Sequence, residues 1–305
     1  LSLQVHPTPE QARAGFAAEE ARGVPRDAAE RNYRDPYSKP ELIVALTPFV
    51  GLCGFRDAPE LAALLAELHV PALKEFADAL DADPGETAVR GMLASLLRWP
   101  EPQRAALVAE VVEASRSLAS SDSRFAATYE WTARVGADYP GDTGVVVVLM
   151  LNLVTLAPGE AVFLRPRTLH AYLHGVGVEI MAGSDNVLRG GLTPKHIDVD
   201  ELLGLLDFST GPIAPTPPTM VSPAEQAWVT PTPEFRLSRV TLAGDPVELA
   251  GGTPQILLTV RGAVRLQDGD QVLEIGSGES VFVPASSAGV RLTGDATVFR
   301  AIPGR

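Results

Sequence analysis

The feature that most limits how this chain can fold is a change of period in its middle. From Ala58 to about Val135 apolar residues recur at helical spacing, in PELAALLAEL, PALKEFADAL, ETAVRGMLASLLRW and PEPQRAALVAEVVEASRSL. Several of these segments open on proline or aspartate, as short helices joined by tight connections do. On both sides of this block the pattern is that of strands: short apolar runs bounded by glycine, proline and polar residues. A helical block enclosed by β segments reads as an insert in a mainly β fold.

Before the insert, LSLQVHP reads as a strand. Thr8-Pro9-Glu10-Gln11 then predicts a helix start, with Thr8 as N-cap, Pro9 in the first turn and Gln11 three residues after the cap, and the helix runs to about Ala21. GVPRDAAERNYRDPYSKPE is a charged, proline-bearing loop leading into a strand over ELIVALTPF, with Glu41 at its start. After the insert, strands are predicted over TGVVVVLMLNLVTL, APGEAVFLRPRTLHAYL, ILLTVRGAVRLQ, QVLEIGSGESVFVP and GVRLTGDATVFRAI. STGPIAPTPPTMVSPAEQ reads as a proline-rich crossover, which divides the chain near residue 220. One element is used twice: residues 159–173 and 278–292 share a G-E-x-V-F pattern, a turn and a second strand. Only the first copy carries a histidine, His170.

Composition narrows the function classes. A net charge of −13 over 305 residues repels phosphate backbones and anionic membrane surfaces, which argues against general nucleic-acid binding. The longest apolar stretch, Val145 to Leu151, is strand-sized and far short of the roughly 20 residues of a membrane span. The single cysteine, Cys53, rules out an intrachain disulfide and fits a reducing compartment, so the cytoplasm is the expected location. The chain opens in mid-strand without a methionine, which reads as a missing N-terminal piece.

The chemistry-bearing residues start with Gln4 and His6. In a strand they share one face while Leu3 and Val5 share the other, so two polar groups look into the same space. Taken alone, His6 is an ordinary core or surface imidazole, and His69 belongs on a helix surface. With His170 after a turn between two strands, and Glu41 opening a third, two imidazoles, a carboxylate and an amide oxygen make a mixed N/O set suited to zinc. Spacing by itself does not single this set out. The segment VEIMAGSDNVLRGGLTPKH, residues 178–196, has two readings. It is a solvated turn, or a glycine-rich loop in which Glu179, Asp185, Arg189 and Lys195 face a polar ligand. Two cations close to a candidate metal histidine in an acidic chain favour an anion.

QVHP at 4–7, KPEL at 39–42, LTPFVGLCGFR at 46–56, LRPRTLHAYL at 164–173 and GSDNVLRGGLTPKHID at 183–198 closely resemble type I mannose-6-phosphate isomerases, in family order over most of the chain. The resemblance implies cupin-like β-barrels of bicupin type with a helical domain. The implied organisation is a zinc-bearing barrel at 1–57 and 138–219, a helical insert at 58–137 and a metal-free cupin-like domain at 220–305. It implies one zinc ion per chain, held by Gln4, His6, Glu41 and His170, and interconversion of mannose 6-phosphate and fructose 6-phosphate. Arg189 matches the residue regarded as catalytic in the family; Lys39, Glu179, Asp185 and Lys195 match positions lining its pocket. Lys39 and Asp185 are expected in catalysis, and Lys195, Glu179 and Arg189 in substrate binding.

Two departures accompany the resemblance. Ser38 stands where family members often have histidine, and the N-terminal strands that precede the Q-x-H segment in the family are expected to be lacking. The competing reading is a non-catalytic cupin-like binder of a sugar phosphate or metabolite. A monomer is the family-like default, with no membrane or nucleic-acid partner.

Overall fold

A computed structural model describes residues 1–304 of the chain. Strand β1 (Gln4–Val5) leads into helix α1 (Pro9–Ala21), which starts where the sequence places it. Thr8 Oγ1 accepts the Gln11 N–H at 3.2 Å and Gln11 Oε1 accepts the Thr8 N–H at 3.0 Å, so two donors left over at the helix start are satisfied reciprocally. Thr8→Ala is expected to destabilise the chain by about 1 kcal/mol. A lowered urea midpoint at unchanged slope checks it.

The stretch 41–49 is not one strand. Strand β2 (Glu41–Ala45) and strand β3 (Phe49–Phe55) enter different sheets, separated by a bend at Leu46, Thr47 and Pro48. The Leu46 and Thr47 N–H groups donate to the Val176 carbonyl, and Thr47 Oγ1 accepts the Val176 N–H, which holds the bend closed. β2 reads as a continuous apolar run because both of its faces are covered. Leu42 and Val44 pack toward Trp228, Leu237 and Phe299; Ile43 and Ala45 pack with Cys53, Val154 and Leu164.

The insert comprises α2 (Ala58–Leu68), α3 (Lys74–Ala82), α4 (Glu86–Leu97), α5 (Glu101–Leu118) and α6 (Ala126–Asp138), with a turn of 3-10 helix at Pro71–Leu73. His69 ends α2 in the left-handed region at φ 53°, exposed as expected. The strand expected over GVVVVLM is instead a helix, α7 (Gly144–Met150). All seven residues are buried, so the segment has no polar face from which a period can be read. Asp142 starts it: Oδ1 accepts the Gly144 N–H at 2.7 Å and Oδ2 accepts the Thr193 N–H at 3.3 Å. A Cβ on Gly144 would fall 2.8 Å from the Leu192 nitrogen, so glycine is what lets the two backbones meet here.

Then follow β4 (Leu151–Leu156), β5 (Ala161–Leu164), β6 (His170–His174), β7 (Gly177–Met181), β8 (Leu188–Arg189) and α8 (Val199–Leu205). The C-terminal part holds β9 (Pro218–Ser222), β10 (Glu225–Trp228), β11 (Arg236–Ala243), β12 (Val247–Ala250), β13 (Gln255–Asp268), β14 (Gln271–Gly276), β15 (Ser280–Val283) and β16 (Gly289–Ile302). Residues 218–222 of the expected crossover therefore form a strand. β9 lies at a sheet edge with proline as its first residue, a position where the missing N–H is harmless.

Three antiparallel sheets result: β4-β3-β6-β1-β8, β5-β2-β7 and an eight-stranded sheet built on β13 and β16. The cupin-like class holds, but among the described residues the sheets stay open where closed barrels were expected. The twice-used element is real in three dimensions. β5 and β15 match at both ends, β6 and β16 match at their starts, and the same glutamate closes the turn that precedes each first strand. Glu160 Oε2 accepts the Ala157 N–H at 2.8 Å and Glu279 Oε2 accepts the Gly276 N–H at 2.7 Å. Where the first copy has His170, the second has Gly289.

Candidate metal centre and anion cleft

One register brings the expected residues together. Gln4 on β1 lies opposite His170 on β6 and, on its other side, opposite Arg189 on β8. Cys53 on β3 continues the row beyond His170. Residues directly paired across a sheet point to the same face, so Cys53, His170, Gln4 and Arg189 form a line across it. His6, two residues beyond Gln4, shares that face. Glu41 arrives from the other sheet, at the start of β2.

His6, Glu41 and His170 are 3%, 3% and 4% exposed. His6 Nε2 lies 3.1 Å from Glu41 Oε1 and His170 Nε2 lies 3.4 Å from Glu41 Oε2. The opposite ring nitrogens face main-chain carbonyls: His6 Nδ1 is 2.7 Å from the Asn186 oxygen and His170 Nδ1 is 2.9 Å from the Thr168 oxygen. A carbonyl only accepts, so we assign the proton to Nδ1 in both rings, which leaves the two Nε2 lone pairs aimed at a carboxylate. Lone pairs converging on an anion need a cation between them. Consistent with this, His6 Nε2 is buried without a hydrogen-bond partner. The donor atoms of His6, Glu41 and His170 lie within 4.8 Å of one another. Two imidazole nitrogens and a carboxylate fit zinc, and the register sets Gln4, whose side chain makes no hydrogen bond among the described residues, on the same face.

The charge states suit that role. Burial, opposed by Glu41, holds the His6 imidazole below its ordinary range, so it is neutral near pH 7. Burial alone would raise the Glu41 carboxyl. His170 and His6 lower it well below the usual carboxylate range only when their Nε2 atoms carry protons, and with the Nδ1 tautomers that role passes to Lys39 and a bound cation. Lys39 Nζ completes the cluster, 3.1 Å from Glu41 Oε1. Cys53, buried in the same row, has its thiol pushed up to about 12 by burial, so it stays a neutral, inert neighbour.

A cleft of about 590 Å³ opens beside the cluster, lined among others by Arg34, Lys39, Asp185, Arg189, Lys195 and His196. Arg34, Arg189 and Lys195 form no ion pair among the described residues, although Asp27 and Asp185 line the same cleft. Burial and then the neighbouring Arg34 lower the Arg189 guanidinium from its ordinary value. A bound anion would relieve that repulsion. Glu179 stands apart from this lining. It sits opposite Ile43 on β7, two rungs from Glu41, where it accepts a 2.7 Å hydrogen bond from the Tyr172 hydroxyl and borders a groove against β13. Burial raises its carboxyl above the ordinary value.

Two residues of the site went unread in the sequence, Arg34 and Asn186. Arg34 lies in the charged loop between α1 and β2, which looks solvated in sequence yet is pinned. The buried carboxylate of Glu19 accepts the N–H groups of Asn32 and Tyr33 at 3.0 and 2.8 Å. The Tyr33 hydroxyl donates to Glu201 at 2.6 Å, and its ring covers Gly15 so closely that a Cβ there would fall 2.3 Å from it.

Comparison with known proteins bears on this arrangement. Residues 1–58 match the family model of the phosphomannose isomerase type I catalytic domain, and residues 224–303 match the mannose-6-phosphate isomerase cupin domain. The mannose-6-phosphate isomerase of Escherichia coli K12 is 38% identical over 305 residues, covering 98% of this chain and 75% of the relative. That of Bos taurus is 32% identical over 312 residues, covering 92% and 70%. The solved structure of a zinc-bound mannose 6-phosphate isomerase superposes with a TM-score of 0.90 at 36% identity, covering all of this chain and 76% of that one.

Proposed function

The chain belongs to the type I mannose-6-phosphate isomerases, and on that premise we infer that it is a zinc-dependent aldose-ketose isomerase interconverting mannose 6-phosphate and fructose 6-phosphate. One observation carries the reading. Two imidazole Nε2 atoms converge on the buried Glu41 beside a cleft of unpaired cations, which couples a metal centre to an anion site.

We propose Gln4, His6, Glu41 and His170 as the ligands of a single zinc ion. When bound, zinc supplies a Lewis acid that stabilises negative charge on the sugar oxygens. The chain's own residues do the rest. Arg189 and Lys195 hold the phosphate, and Arg189 also faces the charge that develops on the sugar. Lys39, held against Glu41, donates to a sugar oxygen from the cleft floor. Isomerisation takes a proton from C2 and returns one to C1 while the hydroxyl proton moves between the two oxygens. Lys39 and Asp185 are proposed to handle these protons, and Glu179 to orient Tyr172 beside the centre.

The working unit on this reading is 1–57 with 138–219, supported by the insert at 58–137 and the metal-free β part at 220–305. We propose a cytoplasmic monomer whose partner is a small sugar phosphate rather than a nucleic acid. Among the described residues no helix is long and apolar enough to cross a membrane.

The test is metal content and turnover of the full chain. Stoichiometric zinc, loss of fructose 6-phosphate formation on chelation and its return with added zinc are expected. Binding of mannose 6-phosphate without turnover would favour a non-catalytic binder instead.

A further inference from the structure

Behind the metal ligands lies an asparagine that is 0% exposed. Its main-chain oxygen accepts from His6 Nδ1 at 2.7 Å. Its side-chain Oδ1 accepts the N–H groups of Arg34 and Asp35 at 2.7 and 3.2 Å. Its Nδ2 donates to the carbonyls of Asp35 and Tyr37 at 2.7 and 2.9 Å. Two donors and two lone pairs are all that a primary amide has, so Asn186 is saturated and held in one orientation. A buried amide in this state acts as a rigid peg.

The two ends of the peg serve different parts of the site. The carbonyl end fixes the ring of His6. The amide end fixes residues 34–37, which carry Arg34 into the cleft and run directly into Ser38, Lys39 and Glu41. Neighbouring bonds hold the same two segments together: Ser184 Oγ donates to Asp35 Oδ1 at 2.8 Å, and the Asp185 N–H donates to Asp35 Oδ2 at 2.8 Å.

Resting on the isomerase reading above, we propose that Asn186 is the positioning residue that sets the metal centre and the anion cleft in register. It aims the His6 Nε2 lone pair at the metal position while seating Arg34 beside Arg189. The consequence is that one side chain, touching neither metal nor substrate, governs both zinc affinity and substrate affinity. A purely structural asparagine would govern neither in the folded protein.

The experiment compares the full chain with Asn186→Asp, Asn186→Ala and Arg34→Ala. Zinc affinity is measured by competition with a chromophoric chelator, below the melting transition of each variant, and KM and kcat for mannose 6-phosphate are measured at saturating zinc. Asn186→Ala keeps the main-chain carbonyl on His6 Nδ1 but frees the segment that presents it, so zinc binding is expected to weaken, by up to the about 10- to 100-fold lost when a group that orients a metal ligand is removed. It also raises KM severalfold. Asn186→Asp keeps the two acceptor bonds but turns a carboxylate oxygen toward the Asp35 and Tyr37 carbonyls, so it is expected to lose at least as much as Asn186→Ala. Arg34→Ala raises KM with zinc affinity unchanged, which separates the two ends of the peg.

Parental zinc affinity and KM in folded Asn186→Asp and Asn186→Ala overturn the inference, whatever the melting temperature does. Should Asn186→Ala not fold, Asn186→Asp alone decides. A parent chain that binds no zinc overturns both the isomerase reading and this inference. One that binds zinc without turning over the sugar overturns the reading alone, and the zinc measurements still decide the role of Asn186.

Discussion

His170→Ala is expected to release zinc and to abolish turnover together. His170 Nε2 and His6 Nε2 approach the two oxygens of one carboxylate, so removing either ring leaves too few neutral nitrogen donors for a tight zinc site. Turnover should fall by at least about 10³-fold, equivalent to about 4 kcal/mol of lost transition-state stabilisation. The chain itself should stay folded. The Glu41 carboxylate keeps Lys39 and His6, each 3.1 Å from Oε1, so its buried charge retains a cation although Oε2 loses its neighbour. Metal analysis after dialysis, beside circular dichroism and a coupled assay, checks all three points. Zinc retained at parental affinity in the variant would remove His170 from the ligand set.

How much of this site could be read beforehand depends on whether the residues sit in regular structure. The alternation of Gln4 and His6 with Leu3 and Val5 announced a shared face, because the period of a strand survives in sequence. The start of α1 was legible for a similar reason: Thr8, Pro9 and Gln11 are local signals with a local mechanism. Arg34 and Asn186 were not legible. Each works through a partner about 150 or more residues away, Arg34 held by Asn186 and Asn186 holding His6. A charged loop pinned by one buried glutamate looks in sequence like a loop in water.

Two of the misread elements, the run at 41–49 and α7, share one cause, which is burial on every side. β2 packs against two cores, so its apolar run carried on visually through Leu46 and Pro48 and hid the bend between β2 and β3. α7 packs on all faces, so a run of four valines with high β propensity became a helix, its propensity cost offset by complete burial and by the Asp142 carboxylate that accepts the Gly144 N–H. Conversely, β9 was dismissed because of its proline, although an edge strand can begin on one. Amphipathic elements reveal themselves, whereas fully buried ones can be told apart only by what packs around them.

Arg189→Ala should give the opposite dissociation from His170→Ala, with zinc retained and turnover lost. Arg189 shares the row of Gln4 and His170 but lies on the far side of Gln4, on a two-residue strand whose backbone pairing does not depend on the side chain. Among the described residues the guanidinium enters the cleft without an ion pair, so its removal costs the fold little and eases the repulsion with Arg34. For substrate, the loss is of charge-assisted hydrogen bonds, each contributing about 1.5 to 3 kcal/mol. If the group served phosphate binding alone, KM would rise and kcat would hold. On the role proposed for it, in which it also faces charge that develops during isomerisation, kcat is expected to fall as well, by about 10²- to 10³-fold. Arg189→Lys restores a point charge without the planar fork and should recover only part of the loss. A variant with raised KM and parental kcat would reduce Arg189 to a phosphate clamp and leave stabilisation of the developing charge to zinc and Lys39.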